Sequence, residues 1–186
     1  MHEAGVDVNI TVYCASSFGK DEAFAREAQT LGSWIGAHHH TLIYGGTSVG
    51  LMGLIAGAVL DAGGEVIGVL PDILSDREPP SGRLTQLIRV ETMAQRKATM
   101  IELGEVFVAL PGGPGTLEEL SEIMSLVKLG TPPGYLYLLN SNGYYDELIA
   151  LFDRMLLHGF MTPEMRSYLK AADSADELVR MIATLE

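Results

Sequence analysis

The sequence predicts an α/β fold: a doubly wound, mostly parallel sheet with helices on both faces. Three observations carry this. Short apolar, β-branched runs alternate with longer segments of helical period. The strand-like runs are apolar throughout rather than at every second residue, as in strands buried on both faces. Turns rich in serine or glycine follow three of them, where such sheets bind ligands beyond the carboxyl ends of their strands.

Each element has its own signal. Val8 to Tyr13 (VNITVY) reads as a strand. Asp21 to about Ala37 reads as a helix, with Phe24, Ala28, Leu31 and Ile35 at spacings of three and four. Thr41 to Tyr44 is a strand, and Gly50 to Ala62 is a helix apolar nearly all round, hence buried. Glu65 to Leu70 is a strand stopped by Pro71. Pro71 to Leu84, with three prolines and Gly82, reads as a loop long enough to be functional. Ile88 to Val90 is a short strand and Thr92 to Leu103 a helix. Val106 to Leu110 is a strand and Thr116 to Leu129 a helix. Tyr135 to Leu139 is a strand and Tyr145 to Leu157 a helix. Asp176 to Leu185 is a last amphipathic helix with Ser174 as its cap. No linker, repeat or low-complexity tract divides residues 1–186, so one domain is expected.

Composition narrows the partners. The chain has 186 residues, 47% of them hydrophobic, which is enough to bury a sizeable core. Its 12 Lys+Arg against 24 Asp+Glu give a net charge of −12. That field repels a phosphate backbone, so no nucleic-acid partner is expected. A small anion needs a site shielded from the bulk charge. Cys14 is the single cysteine, which excludes an intrachain disulfide and a cysteine-rich metal site. The first residues lack the zones of a signal peptide, and no apolar run reaches the roughly 20 residues of a membrane span. A soluble, cytoplasmic protein with no membrane partner is expected.

Three turns invite chemistry. Cys14-Ala15-Ser16-Ser17-Phe18-Gly19 places two hydroxyls beside backbone amides, to hold a ligand or to shape the turn. Tyr44 to Gly53 (YGGTSVGLMG) has glycines with P-loop spacing, but Leu51 stands where the lysine belongs. Gly46-Thr47-Ser48-Val49-Gly50 fits the nucleophile-elbow pattern G-x-S-x-G, with His158, Asp146 and Asp153 as triad partners for a serine hydrolase. Leu110 to Glu119 (LPGGPGTLEE) runs from a buried strand into glycines, a threonine and a helix start, which is a cradle for an anion. Two carboxylates in that first turn act away from the anion or complement the helix dipole. Thr116-x-x-Glu119 also has the spacing of a capping box, and Glu118 can be a solvated face residue. His38-His39-His40 at a helix end complements its dipole, and no metal site is expected.

With these residues in place, a resemblance is visible. PGGPGTLEE (Pro111–Glu119) resembles the PGGxGTxxE signature of the LONELY GUY (LOG) family of cytokinin riboside 5′-monophosphate phosphoribohydrolases. YCASSFG and YGGTSVGLMG are similar to its first two turns. Arg96-Lys97 with Met100 matches an RKxxM element, and Asn142 to Asp146 and Gly159-Phe160 match later elements. The resemblance covers nearly the whole chain. It implies a Rossmann-like fold and a homodimer with the nucleotide site near the subunit interface. It further implies hydrolysis of the N-glycosidic bond of a nucleoside 5′-monophosphate, with no cofactor. The family's paired catalytic residues fall on Arg96 and Glu119. Its substrate contacts fall on Ser16, Gly46, Glu78, Arg96, Lys97, Gly112, Gly113, Gly115, Thr116, Leu117, Glu118, Glu119 and Ser125.

Two departures bear on the base that is preferred. Ala94 stands where the family has His, and Thr47 replaces the third of three consecutive glycines. Relatives labelled possible lysine decarboxylases suggest a different chemistry, but no pyridoxal motif surrounds Lys97. The alternative to an enzyme is a non-catalytic nucleotide or molybdenum-cofactor carrier on a similar glycine-loop fold.

Overall fold

The structure is a computed structural model that describes residues 7–74, 79–131 and 133–184. Seven strands form one sheet in the order β4-β3-β2-β1-β5-β6-β7, and every pairing is parallel. They are β1 (Asn9–Tyr13), β2 (Thr41–Tyr44), β3 (Glu65–Pro71), β4 (Gln86–Val90), β5 (Val106–Ala109), β6 (Leu136–Leu139) and β7 (Leu169–Ala172). The helices are α1 (Glu22–Ala37), α2 (Gly50–Asp61), α3 (Met93–Leu103), α4 (Pro114–Lys128), α5 (Asp146–Leu157), α6 (Pro163–Ser167) and α7 (Ala175–Ala183).

Helices cover both faces, as the continuous apolar strands require. On one face Leu31, Ile35, Ile55, Val59, Leu178 and Ile182 of α1, α2 and α7 pack on Ile10, Val12, Leu42 and Val108. On the other, Met100, Leu120, Ile123 and Phe152 of α3, α4 and α5 pack on Tyr13, Ile43, Phe107 and Leu138. The chain leaves β1 toward β2 on one side and returns through β5 on the other. The gap between the ends of β1 and β5, where Tyr13 pairs with Ala109, is therefore the topological switch point, the place where sheets of this kind generally bind ligands.

The structure adds an element that the sequence did not announce. Residues Leu169–Ala172 (LKAA) form edge strand β7 beside β6, after the short helix α6. Alanines carry no strand signal, and pairing with β6 overrides their propensity. Pro71 closes β3 rather than stopping it short, since it pairs with Val90. The helix predicted from Thr116 starts two residues earlier, at Pro114.

Candidate functional site

Helix α3 presents the first functional group. Thr92 caps it: its hydroxyl accepts from the Gln95 amide at 3.1 Å, and the Gln95 side chain accepts from the Thr92 amide at 3.2 Å. A capping box therefore exists, but on α3. One turn on, Arg96 points into the protein and is 6% exposed. Its Nε donates to the Val69 carbonyl at 3.2 Å, and its Nη1 donates to Glu119 Oε1 at 3.1 Å. Its Nη2 lies against Gly45, where a β-carbon would overlap it.

Helix α4 presents the second. Gly113 is its N-cap, with no side-chain capping bond, and Pro114 opens the first turn. Thr116 and Glu119 thus lie inside the helix, and the capping role for Glu119 falls away. The amides of Gly115 and Thr116 have no partner among the described residues, so they remain available to an anion at the positive end of the helix dipole. Glu119 is 7% exposed, one turn beyond them. Burial pushes its carboxyl up to about 7, with the Arg96 guanidinium as the main opposing influence.

Between these helices and the turn after β1 lies a cavity of about 290 Å³. Of the residues predicted for the site, Ser16, Arg96, Lys97, Gly113, Gly115, Thr116, Glu118 and Glu119 line it. Gly112 lines an adjoining cavity of about 250 Å³. Gly46 packs against Val69 and Leu70 of β3, away from the cavity. Leu117 faces solvent, and Ser125 is exposed with its hydroxyl on the Ser121 carbonyl. Glu78 lies outside the described residues.

The cavity also takes Cys14, Ala15, Ser17, Met52, Met93 and Pro114, which the site prediction leaves out. The proximity of Met52 to Arg96 across Gly45 is long-range and leaves no local signal. Burial pushes the Cys14 thiol up, so it stays protonated and inert.

The second glycine turn is structural. Gly50, at φ +57, admits the backbone of Ser16 and Ser17 where any side chain would collide. The amides of Leu51 and Met52 at the start of α2 are spent on the carbonyls of Ser17 and Ala15. Ser48 donates its hydroxyl to the Pro79 carbonyl at 3.1 Å, and His158 is an exposed residue ending α5. Among the described residues nothing activates Ser48 as a nucleophile.

Tyr144 and Tyr145 hold the third turn from below. Their hydroxyls donate to the carbonyls of Gly112 and Leu110 at 2.5 and 2.6 Å. Lys97 sits at the rim, between Glu118 at 2.8 Å and Glu122 at 3.0 Å, and hydrogen bonds to both raise its pKa. A lysine held charged in this way does not suit a Schiff base, which needs a free amine. The residues around it do not fit a pyridoxal cofactor. Among the described residues no cluster of three or more His, Cys, Asp or Glu is arranged to hold a metal. Nor is any described helix long and apolar enough to cross a membrane.

A family model described as "Possible lysine decarboxylase" matches residues 52–182. Cytokinin riboside 5′-monophosphate phosphoribohydrolase LOG3 of Arabidopsis thaliana is 40% identical over 93% of this chain and 80% of its own length. The probable phosphoribohydrolase LOGL1 of Oryza sativa subsp. japonica is 42% identical over 92% of this chain and 77% of its own. Among solved structures, the molybdenum cofactor binding protein of Rippkaea orientalis superposes with a TM-score of 0.73 over 97% of this chain and 98% of that one. At 20% identity that likeness is one of fold. The family match and the extent of the plant relatives lead to one conclusion: the chain belongs to the LOG family, within the group described as possible lysine decarboxylases.

Proposed function

We propose that this chain hydrolyses the N-glycosidic bond of a nucleoside 5′-monophosphate, AMP or a cytokinin riboside monophosphate, to the free base and ribose 5-phosphate. One observation carries the reading. A buried carboxylate, Glu119, stands one helical turn past two uncommitted amides and is gripped by a buried arginine. The three residues from Thr116 to Glu119 give about 4.5 Å of helix rise, which suits a phosphate at one end and a sugar at the other.

In this scheme the amides of Gly115 and Thr116, with the Thr116 hydroxyl, hold the phosphate. Lys97 and Ser16 stand at the cavity wall to complete its surroundings. Arg96 fixes the orientation of Glu119 and offers its planar fork to the ligand. Cleavage of the bond from C1′ to the base nitrogen leaves positive charge on the ribose. The Glu119 carboxylate stabilises that charge and takes a proton from the attacking water. The water oxygen ends on C1′, and the proton taken by Glu119 passes on to the departing nitrogen, directly or through solvent, which returns the carboxylate to its starting state.

A homodimer, a cytoplasmic location and the absence of a nucleic-acid partner belong to the same proposal. The dimer rests on the family likeness, and the last of these on the net charge of −12. The test is incubation of the purified protein with AMP and, separately, with an N6-prenylated AMP, followed by chromatography. Free base and ribose 5-phosphate in equal amounts support the reading. Binding of nucleotide without release of base indicates a carrier instead. Light scattering of the eluting protein reads the assembly.

A further inference from the structure

Next to the Arg96–Glu119 pair lies a hydroxyl that the scheme above leaves idle. Tyr13, the last residue of β1, is 1% exposed, and its hydroxyl has no hydrogen-bond partner among the described residues. Its ring stacks on Phe107 with centroids 6.5 Å apart and belongs to the buried cluster that also holds Met100, Leu120 and Ile123. Met100 is one turn beyond Arg96 on α3, and Leu120 follows Glu119 on α4. The ring therefore enters the seam between the two helices that carry the ion pair.

Apolar packing explains the ring but not the oxygen. A phenylalanine would make the same contacts without burying a lone hydroxyl, which costs about 1–3 kcal/mol. An unsatisfied buried group of this kind asks for a role. Tyr13 follows the parallel register in which Thr11 pairs with Ile43, so it lies beside Gly45, against which the Arg96 guanidinium rests. After burial itself, Glu119 and then Glu122 raise its pKa, while Arg96 lowers it.

Glu119 is short of donors. Arg96 is its one hydrogen-bond donor among the described residues, and Arg96 is already committed to the Val69 carbonyl as well. Arg96 and Lys97 face Glu119 from α3, and Glu118 and Glu122 from its own helix. Tyr13 and Cys14 face it from the end of β1, and Tyr145 from the start of α5. Within that set, Tyr13 carries the buried oxygen donor that has no partner among the described residues.

We propose that Tyr13 is a positioning residue for Glu119: its hydroxyl donates to the Glu119 carboxylate, directly or across one water, and keeps it ionised and aimed when nucleotide engages Arg96. The proposal rests on the reading of Glu119 as the acting carboxylate. Tyr13→Phe removes the donor and keeps the ring. The experiment labels glutamate carboxyl groups with carbon-13, identifies Glu119 by the signal lost in Glu119→Gln, and titrates it by NMR.

In Tyr13→Phe the Glu119 midpoint moves up by about 1 pH unit, the size of a hydrogen bond to a charged group. The acidic limb of kcat for AMP moves with it, while KM stays within about twofold. A fluorinated tyrosine at position 13, a stronger donor, moves the midpoint down. A hydroxyl with a purely structural role changes Tm and leaves both midpoints where they were, which overturns the proposal. If the wild-type protein releases no base, the proposed function fails, and the carboxyl titration alone still decides the role of Tyr13.

Discussion

Arg96 rests on Gly45: the guanidinium occupies the space that a β-carbon at position 45 would need. The glycine at the end of β2 thus fixes the height of the arginine, and through it the carboxylate of Glu119 at 3.1 Å. Gly45→Ala displaces the guanidinium without touching the nucleotide. Base release should fall about 100-fold, the usual result of a misplaced catalytic group, with circular dichroism unchanged.

Removing the carboxylate tests the chemistry directly. Glu119→Gln keeps the shape of the side chain and loses its charge. It should lower kcat by about 100- to 10,000-fold while nucleotide binding by calorimetry stays close to wild type. Near-normal turnover in this variant would mean that Glu119 is not the acting carboxylate.

The raised carboxyl of Glu119 sets a pH dependence with a definite sign. The ionised form acts, so kcat/KM should rise with pH through about 7, on a rapid-mixing or chromatographic assay from acid to alkaline buffer. Stability should move the other way. The unfolded chain loses this proton near 4.5 and the folded one near 7, so the native state holds more protons in between. The contribution of Glu119 to unfolding free energy therefore declines as pH rises across that window. Urea titrations of wild type and Glu119→Gln should converge at its acid end.

Arg96→Lys should not rescue Arg96→Ala. The guanidinium reaches the Val69 carbonyl with one nitrogen and Glu119 with another, and an ammonium has no such fork. Both variants leave Glu119 less well neutralised, so its NMR midpoint should rise and turnover at neutral pH should be lost in both.

Ser48→Ala should leave turnover unchanged. The Ser48 hydroxyl serves the Pro79 carbonyl, and a serine-directed covalent probe should fail to label the protein. Labelling that vanishes in this variant would restore the hydrolase reading of the second turn.

How much of this was legible in the sequence depends on range. The alternation of strands and helices and the glycine turn that leads into α4 are local patterns, and they were readable, whereas Arg96 and Glu119 were paired only by the resemblance to the LOG family. Whether Glu119 caps its helix was not readable from the Thr-x-x-Glu spacing alone. Pro114 carried the missing signal, since proline favours the first helical position and so places the helix start before Thr116. The structural role of the second glycine turn depends on carbonyls of Ala15 and Ser17 more than thirty residues away, which no window contains. Strand β7 was hidden because Leu-Lys-Ala-Ala has no strand preference until β6 offers it an edge.

The bare glycine that starts α4 has one more consequence. A helix opened by Asp or Ser at Gly113 would be more stable, by a few tenths of a kcal/mol or more. An aspartate there would also plant a negative charge where the substrate's own anion has to land. Robustness and turnover pull this single position in opposite directions, and a screen for heat resistance alone would favour a hardier protein that has lost its trade.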